Sequence, residues 1–184
     1  MEKKITVKEI CLVGLMAAAV YVASEFLQIP IPTAIGNTRL HMGNVMCLLS
    51  GILLGPVWGG LSAGFGSALF DLTNPAYITS APFTFAFKFI MAWICGMLVK
   101  RGNKEKRIYR YSVAAALGAF AYVVLYLTKS FVENYFVLHI PFEAVWLSIG
   151  QKGIVSVVKA VVSVIVVVPL GMALKPAISR LLEK

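Results

Sequence analysis

Residues 145–174 read VWLSIGQKGIVSVVKAVVSVIVVVPLGMAL, and the only charged side chains among them are Lys152 and Lys159. The stretch Val155 to Val168 is β-branched enough to form a strand in water. A run this long and apolar partitions into lipid, however, where a lone strand leaves its N–H and C=O groups unpaired, so helix is the economical solution. Wound as a helix, Ser148, Lys152, Ser156, Lys159 and Ser163 recur at steps of 4, 4, 3 and 4 and share one face. This segment therefore offers hydrocarbon to lipid on most of its circumference and a cationic, hydroxyl-rich stripe on the rest.

Working outward, the same test finds apolar runs at about 7–27, 42–54, 57–72, 83–99 and 111–138. The 184 residues are 59% apolar and 14% charged, against about 25% charged in a soluble domain. Six spans of roughly 20 residues each leave no room for a further soluble domain such as an ATPase. The expected fold is an all-α integral membrane protein, one domain over 1–184 with six transmembrane helices. Gln28 to Leu40, with Pro30, Pro32 and Gly36, reads as a loop, as does Thr73 to Pro82. Gly55-Pro56 breaks the second run from the third, and a short turn holds His139 and Pro141.

The net charge of +9 is a topology signal. Lys3, Lys4, Lys8, Lys100, Arg101, Lys104, Lys106, Arg107, Arg110, Lys175, Arg180 and Lys184 are 12 of the 17 basic residues, and all fall on one side of the six-span layout. The positive-inside bias then places both termini in the cytoplasm, in contact with the lipid bilayer, and nucleic acid is not an expected partner. Lys3-Lys4 followed by an apolar stretch and Val22-Ala23-Ser24 mimics a secretory signal. The apolar run exceeds the usual 7–15 residues of such signals. Cys11, Cys47 and Cys95 lie in three different runs without a Cys-x-x-Cys pair, and His41 and His139 stand apart, so buried free thiols and no metal site are expected.

Ionisable residues inside spans cost at least about 2.5–3.5 kcal/mol each unless they face a partner or a cavity. Here they are ordered. Tyr122, Tyr126, Lys129 and Glu133 recur at steps of 4, 3 and 4 in the fifth run, and Lys88 follows Thr84 by one turn in the fourth. Arg39, His41, Asn44, Asp71, Asn74, Asn134 and Gln151 fall near the same ends of their runs. With Tyr77, Lys88, Lys129, Glu133 and Lys152 they form the candidate substrate-binding set, and Tyr77, Phe83, Phe85 and Trp146 are candidates for stacking on a flat ring. Near this region Arg39, Lys88, Lys129, Lys152 and Lys159 face Glu25, Asp71 and Glu133, a surplus of two positive charges that favours an anionic or electron-rich ligand.

No Gly-Lys dipeptide occurs, hence no Walker A loop, and no His-Glu-x-x-His is present. No cofactor is expected. An enzyme would need a dyad such as His41 with Asp71, which no spacing supports. Transport would draw on another subunit or on an ion gradient, the latter giving the alternative of a stand-alone proton-coupled transporter working through Asp71 or Glu133.

Leu40-His41-Met42-Gly43-Asn44 leads into Gly51-Ile52-Leu53-Leu54-Gly55-Pro56, then Gly59-Gly60-Leu61-Ser62-Ala63-Gly64 and Asp71. With the six-span layout, this stretch resembles the second and third spans of the substrate-binding S components of energy-coupling-factor (ECF) vitamin transporters. Gly14, Ala18, Ala19 and Ala23 fit the small-x-x-x-small pattern by which such proteins pack on their coupling subunit. The resemblance implies a non-enzymatic protein of a prokaryotic plasma membrane that captures a vitamin or vitamin precursor, with the 28–40 loop over the pocket. It also implies a transmembrane coupling subunit and two ABC ATPases as partners, and toppling of the whole S component on ATP hydrolysis. Asn44, Asp71-Leu72-Thr73-Asn74-Pro75 and Lys88 look closer to the riboflavin, pyridoxine, hydroxymethylpyrimidine and pantothenate types than to the biotin, thiamine or metal types, and the start Met1-Glu2-Lys3 lacks the histidine motif of the metal types.

Overall fold

The structure, a computed structural model, describes residues 6–35, 37–75, 77–101 and 107–183. The expectations that involve Met1, Glu2, Lys3, Lys4, Gly36, residues 102–106 and Lys184 lie outside these residues. Helix α1 (Val7–Phe26) opens on a capping box: Glu9 N donates to Thr6 Oγ1 at 3.3 Å and Thr6 N donates to Glu9 Oε2 at 3.0 Å. Then come strands β1 (Gln28–Pro32) and β2 (Asn37–His41), α2 (Gly43–Leu54) and α3 (Pro56–Thr73). A short 3-10 turn at Ile78–Ser80 leads into α4 (Ala81–Arg101), followed by α5 (Arg107–Val132), a π-turn (Glu133–Val137) and α6 (Phe142–Glu183).

The 28–40 segment corrects the loop expectation within a fold that is otherwise helical. It is an antiparallel β-hairpin in which Gln28 pairs with His41 and Pro32 with Asn37, closed at its base by Met42 N donating to Leu27 O at 3.0 Å. Proline rules out helix but not extended backbone, and each strand of a two-stranded ribbon is an edge where a missing N–H is tolerated. The fifth run also differs, since its last turn widens from α to π at Glu133, with Leu138 N donating to Glu133 O at 3.0 Å.

Helix α2 is the pillar of the bundle, and nearly every side chain on it is buried, which explains why its run is apolar on all faces. At 12 residues it is about 18 Å long, short of the roughly 30 Å hydrocarbon thickness. Among the described residues, four segments are long and apolar enough to cross a bilayer: Val7–Phe26, Ile78–Arg101, Arg107–Val137 and Phe142–Leu181. The surface has the polarity of a membrane protein, with Leu15, Phe120 and Ile165 about two-thirds exposed while Lys88 and Lys159 are buried.

Packing around α2 depends on backbone approach. Gly55, at φ 84°, turns α2 into α3 in a conformation that favours glycine. Ser50 Oγ donates to Cys47 O at 2.7 Å and lies 2.9 Å from Gly59 O, and Ser62 Oγ donates to Val13 O at 3.0 Å, which pins α3 to α1. From α4, Gly96 lies against this turn: a Cβ there would sit 2.6 Å from the Gly55 carbonyl carbon and 2.7 Å from Pro56 N. Lys175 Nζ donates to both Ile52 O and Leu53 O at 2.8 Å, supplying a cation and donors to the carbonyl end of α2.

Gly96→Ala is expected to destabilise the protein by about 1–3 kcal/mol, the range for overpacking a tight contact. Gly14→Ala, with open space around the new methyl, is expected to cause no loss. Thermal melts in detergent check the pair, and equal melting temperatures would show that the Gly55–Pro56 contact is not tight.

Candidate substrate-binding site

A cavity of about 530 Å³ lies at the hairpin end of the bundle, within the 300–1,000 Å³ range of small-molecule sites. It is lined by the C-terminal ends of α1 and α3, the N-terminal end of α4, the C-terminal end of α5 with the π-turn, the N-terminal half of α6 and strand β2. Hydrogen bonds hold the hairpin across this opening. Ala34 N donates to Gln151 Oε1 at 2.7 Å, and Thr38 Oγ1 and Tyr126 Oη are 3.4 Å apart.

Nine residues of the candidate set line the cavity: Arg39, His41, Asp71, Tyr77, Lys88, Lys129, Glu133, Asn134 and Lys152. Three do not. Asn44 stands behind the wall and accepts a hydrogen bond from Lys88 Nζ, so it positions the ammonium group. Asn74 builds the turn that presents Tyr77, whose N–H donates to Asn74 O at 2.9 Å. Gln151 is exposed and ties the hairpin to α6. Of the four aromatics proposed to stack, Tyr77 and Phe83 line the space, whereas Phe85 and Trp146 do not; the Phe85 ring packs instead against those of Phe65 and Phe89. Glu25 does not line it either, so the walls carry five cations and two carboxylates.

Lys159, counted from sequence among the cations near this region but not in the candidate set, belongs in it: it is 4% exposed and lines the cavity. Ser130 was also missed, and the signal for it was present: Tyr122, Tyr126, Ser130 and Asn134 step by four along α5 into the π-turn and all four line the site. The π-turn brings Asn134 to the wall while Glu133 keeps its ion pair with Lys129.

The charges are held unequally. Lys129 bonds Glu133 and donates to Ser80 Oγ at 3.0 Å. Arg39 donates to Gln28 Oε1 at 3.0 Å and its guanidinium lies 4.0 Å from the Tyr77 ring centre and 5.2 Å from that of Phe70. Lys152 donates to Ser130 Oγ at 3.0 Å. Lys88, 2% exposed, lies 3.8 Å from the centre of the Tyr122 ring, and Lys159 5.6 Å from that of Tyr126, the two rings being stacked 6.0 Å apart. A desolvated cation–π contact is worth about 2 kcal/mol, less than the penalty of at least about 2.5–3.5 kcal/mol for a buried cation at this depth. The arrangement lowers the cost of these ammonium groups without cancelling it.

His41, in the hairpin, marks where the cations converge. Burial first, then the positive charges of Lys88, Lys159 and Arg39, hold its imidazole well below the ordinary 6.5. Its Nδ1 accepts from Gly43 N at 3.2 Å, which a neutral ring with the proton on Nε2 satisfies. As the pH falls below about 6.5, the unfolded chain takes up the proton before the native state does, so stability is complete above that pH and declines on acidification. His41→Gln is therefore expected to flatten the fall in melting temperature between pH 7 and pH 5, and an unchanged slope would remove His41 from this role.

An apolar-surfaced helical protein with a polar chamber under a hairpin has the architecture of a membrane protein with an internal cavity. Comparison with known proteins narrows the class: residues 4–176 match the ECF-type riboflavin transporter S component family, and the chain belongs to that family. It is accordingly a transporter component and not an enzyme. The chain is also similar to an uncharacterized protein in the gap 3' region of Pyrococcus woesei, 32% identical over 165 residues that cover 90% of this chain and all of that one. A UPF0397 protein of Enterococcus faecalis is 36% identical over 74 residues, 40% of this chain and 39% of that protein.

Proposed function

We propose that this protein is the substrate-capture subunit of an ECF-type importer in a prokaryotic plasma membrane, and that the cavity beneath the hairpin binds a water-soluble vitamin or vitamin precursor. The observation that carries this reading is the convergence of Arg39, Lys88, Lys129, Lys152 and Lys159 from the hairpin and three helices on one chamber of ligand size. A structural network has no need of such a space. Riboflavin comes first among the ligands to test because the matching family is described by it, and the ring-lined walls (Phe70, Tyr77, Phe83, Phe87, Tyr122, Tyr126) suit a flat heterocycle.

In this reading the six helices cross the membrane with both termini cytoplasmic and the hairpin covers an outward-facing pocket. The short α2 then crosses as the buried centre of the bundle, wrapped by its neighbours. Energy comes from two ABC ATPases through a transmembrane coupling subunit, and the S component reorients as they turn over. Of the four small residues on α1, Gly14 and Ala18 are exposed, Ala19 is half-buried and Ala23 is buried at 3% exposure. The coupling face is thus assigned to Gly14 and Ala18, while Ala23 packs within the bundle.

Purified protein is expected to bind one member of a vitamin panel saturably at micromolar concentration or below without ATP. Lys152→Ala is expected to weaken that binding by at least about 1 kcal/mol, as for loss of a charged hydrogen bond. Isothermal titration measures both. Absence of saturable binding by every vitamin in the panel would refute the capture role.

A further inference from the structure

We infer that the ligand of this cavity carries a negative charge, a carboxylate or a phosphate ester, seated against Lys88 and Lys159 beneath the hairpin. The inference rests on the capture reading and adds the chemical class of what is captured.

The walls hold five cations and two carboxylates, a formal surplus of three positive charges. One carboxylate is already committed, since Glu133 is bonded to Lys129. The other, Asp71, is buried at the cavity wall. The remaining acceptors are uncharged: Lys88 is met by the Asn44 amide oxygen and Lys152 by a serine hydroxyl. Lys159, buried and lining the cavity, has no hydrogen bond or ion pair among the described residues, and its ammonium group lies 5.6 Å from the centre of the Tyr126 ring.

A second observation is independent of the lysines. Asn134 lines the same cavity, and its buried amide nitrogen has no acceptor among the described residues. Buried donors of native proteins are almost always paired, so cationic and neutral donors alike turn toward the chamber in want of an acceptor. A neutral heterocycle would supply acceptors but would leave the repulsion among the ammonium groups in place. An anion answers both requirements, and the stacked Tyr122 and Tyr126 rings beside the two lysines place its charge at the inner end of an aromatic slot.

Matched pairs that share a body and differ in charge test this directly. Riboflavin is compared with riboflavin 5′-phosphate, and panthenol with pantothenate, by titration into the protein in phosphatidylcholine nanodiscs. In the pair whose body fits, the anionic member is expected to bind at least tenfold more tightly. Lys159→Met, with Lys159→Gln as a second variant should the first fail to fold, is expected to bring that preference below threefold. Equal or tighter binding of the neutral member overturns the proposal and leaves the capture role standing. Failure of all four compounds and of the wider vitamin panel overturns the capture role itself. Loss of the charge preference when phosphatidylglycerol is added to the nanodiscs would assign the subsite to a lipid headgroup and also overturn the proposal.

Discussion

The cost of holding an ammonium group away from water governs this structure. Lys88 is nearly inaccessible and Lys159 little less so, inside a protein whose outer surface is leucine, valine, isoleucine and phenylalanine. Ionised groups at such depth persist where they meet a partner, a ring face or a polar space. Each cation here finds one of these, and the polar space is common to all of them. The tyrosine pair on α5, the amide of Asn44 and the hydroxyl of Ser130 are the means by which an apolar bundle tolerates a charged interior.

The bundle divides its labour along its length. At one end, Gly55, Gly59 and Gly96 let backbones meet and Lys175 closes the carbonyl terminus of α2, leaving a solid plug. At the other, the ends of α3 to α6 part around a chamber, and the hairpin lies over it on two side-chain hydrogen bonds from α5 and α6. Glycine-rich packing on one side and a polar hollow on the other also explain why the small residues and the charged residues fall in different parts of the chain.

Much of this was legible in the sequence because both signals are periodic. Apolar runs mark the helices, and the polar positions on the 145–174 and 111–138 runs share faces that the fold turns inward. The hairpin was not legible, since Pro30 and Pro32 announce only the absence of helix and the ribbon is too short to show alternation. The π-turn was hidden for a different reason: Lys129 and Glu133 satisfy an i,i+4 pattern in an ordinary α-helix, and nothing in the residue types marks the widened turn that carries Asn134 to the wall. Asn44 and Gln151 look like ligand contacts in one dimension. Only the packing shows that one steadies a lysine and the other holds the cover.

Native mass spectrometry of the intact chain, released from detergent after incubation with the vitamin panel, tests most directly whether the buried cations enclose a ligand site. The account expects one vitamin-sized molecule retained per chain, and its loss from a Lys88→Met, Lys159→Met double variant that still carries its lipid adducts. A wild-type chain that holds lipid and nothing else, or a vitamin retained equally by the double variant, would contradict it.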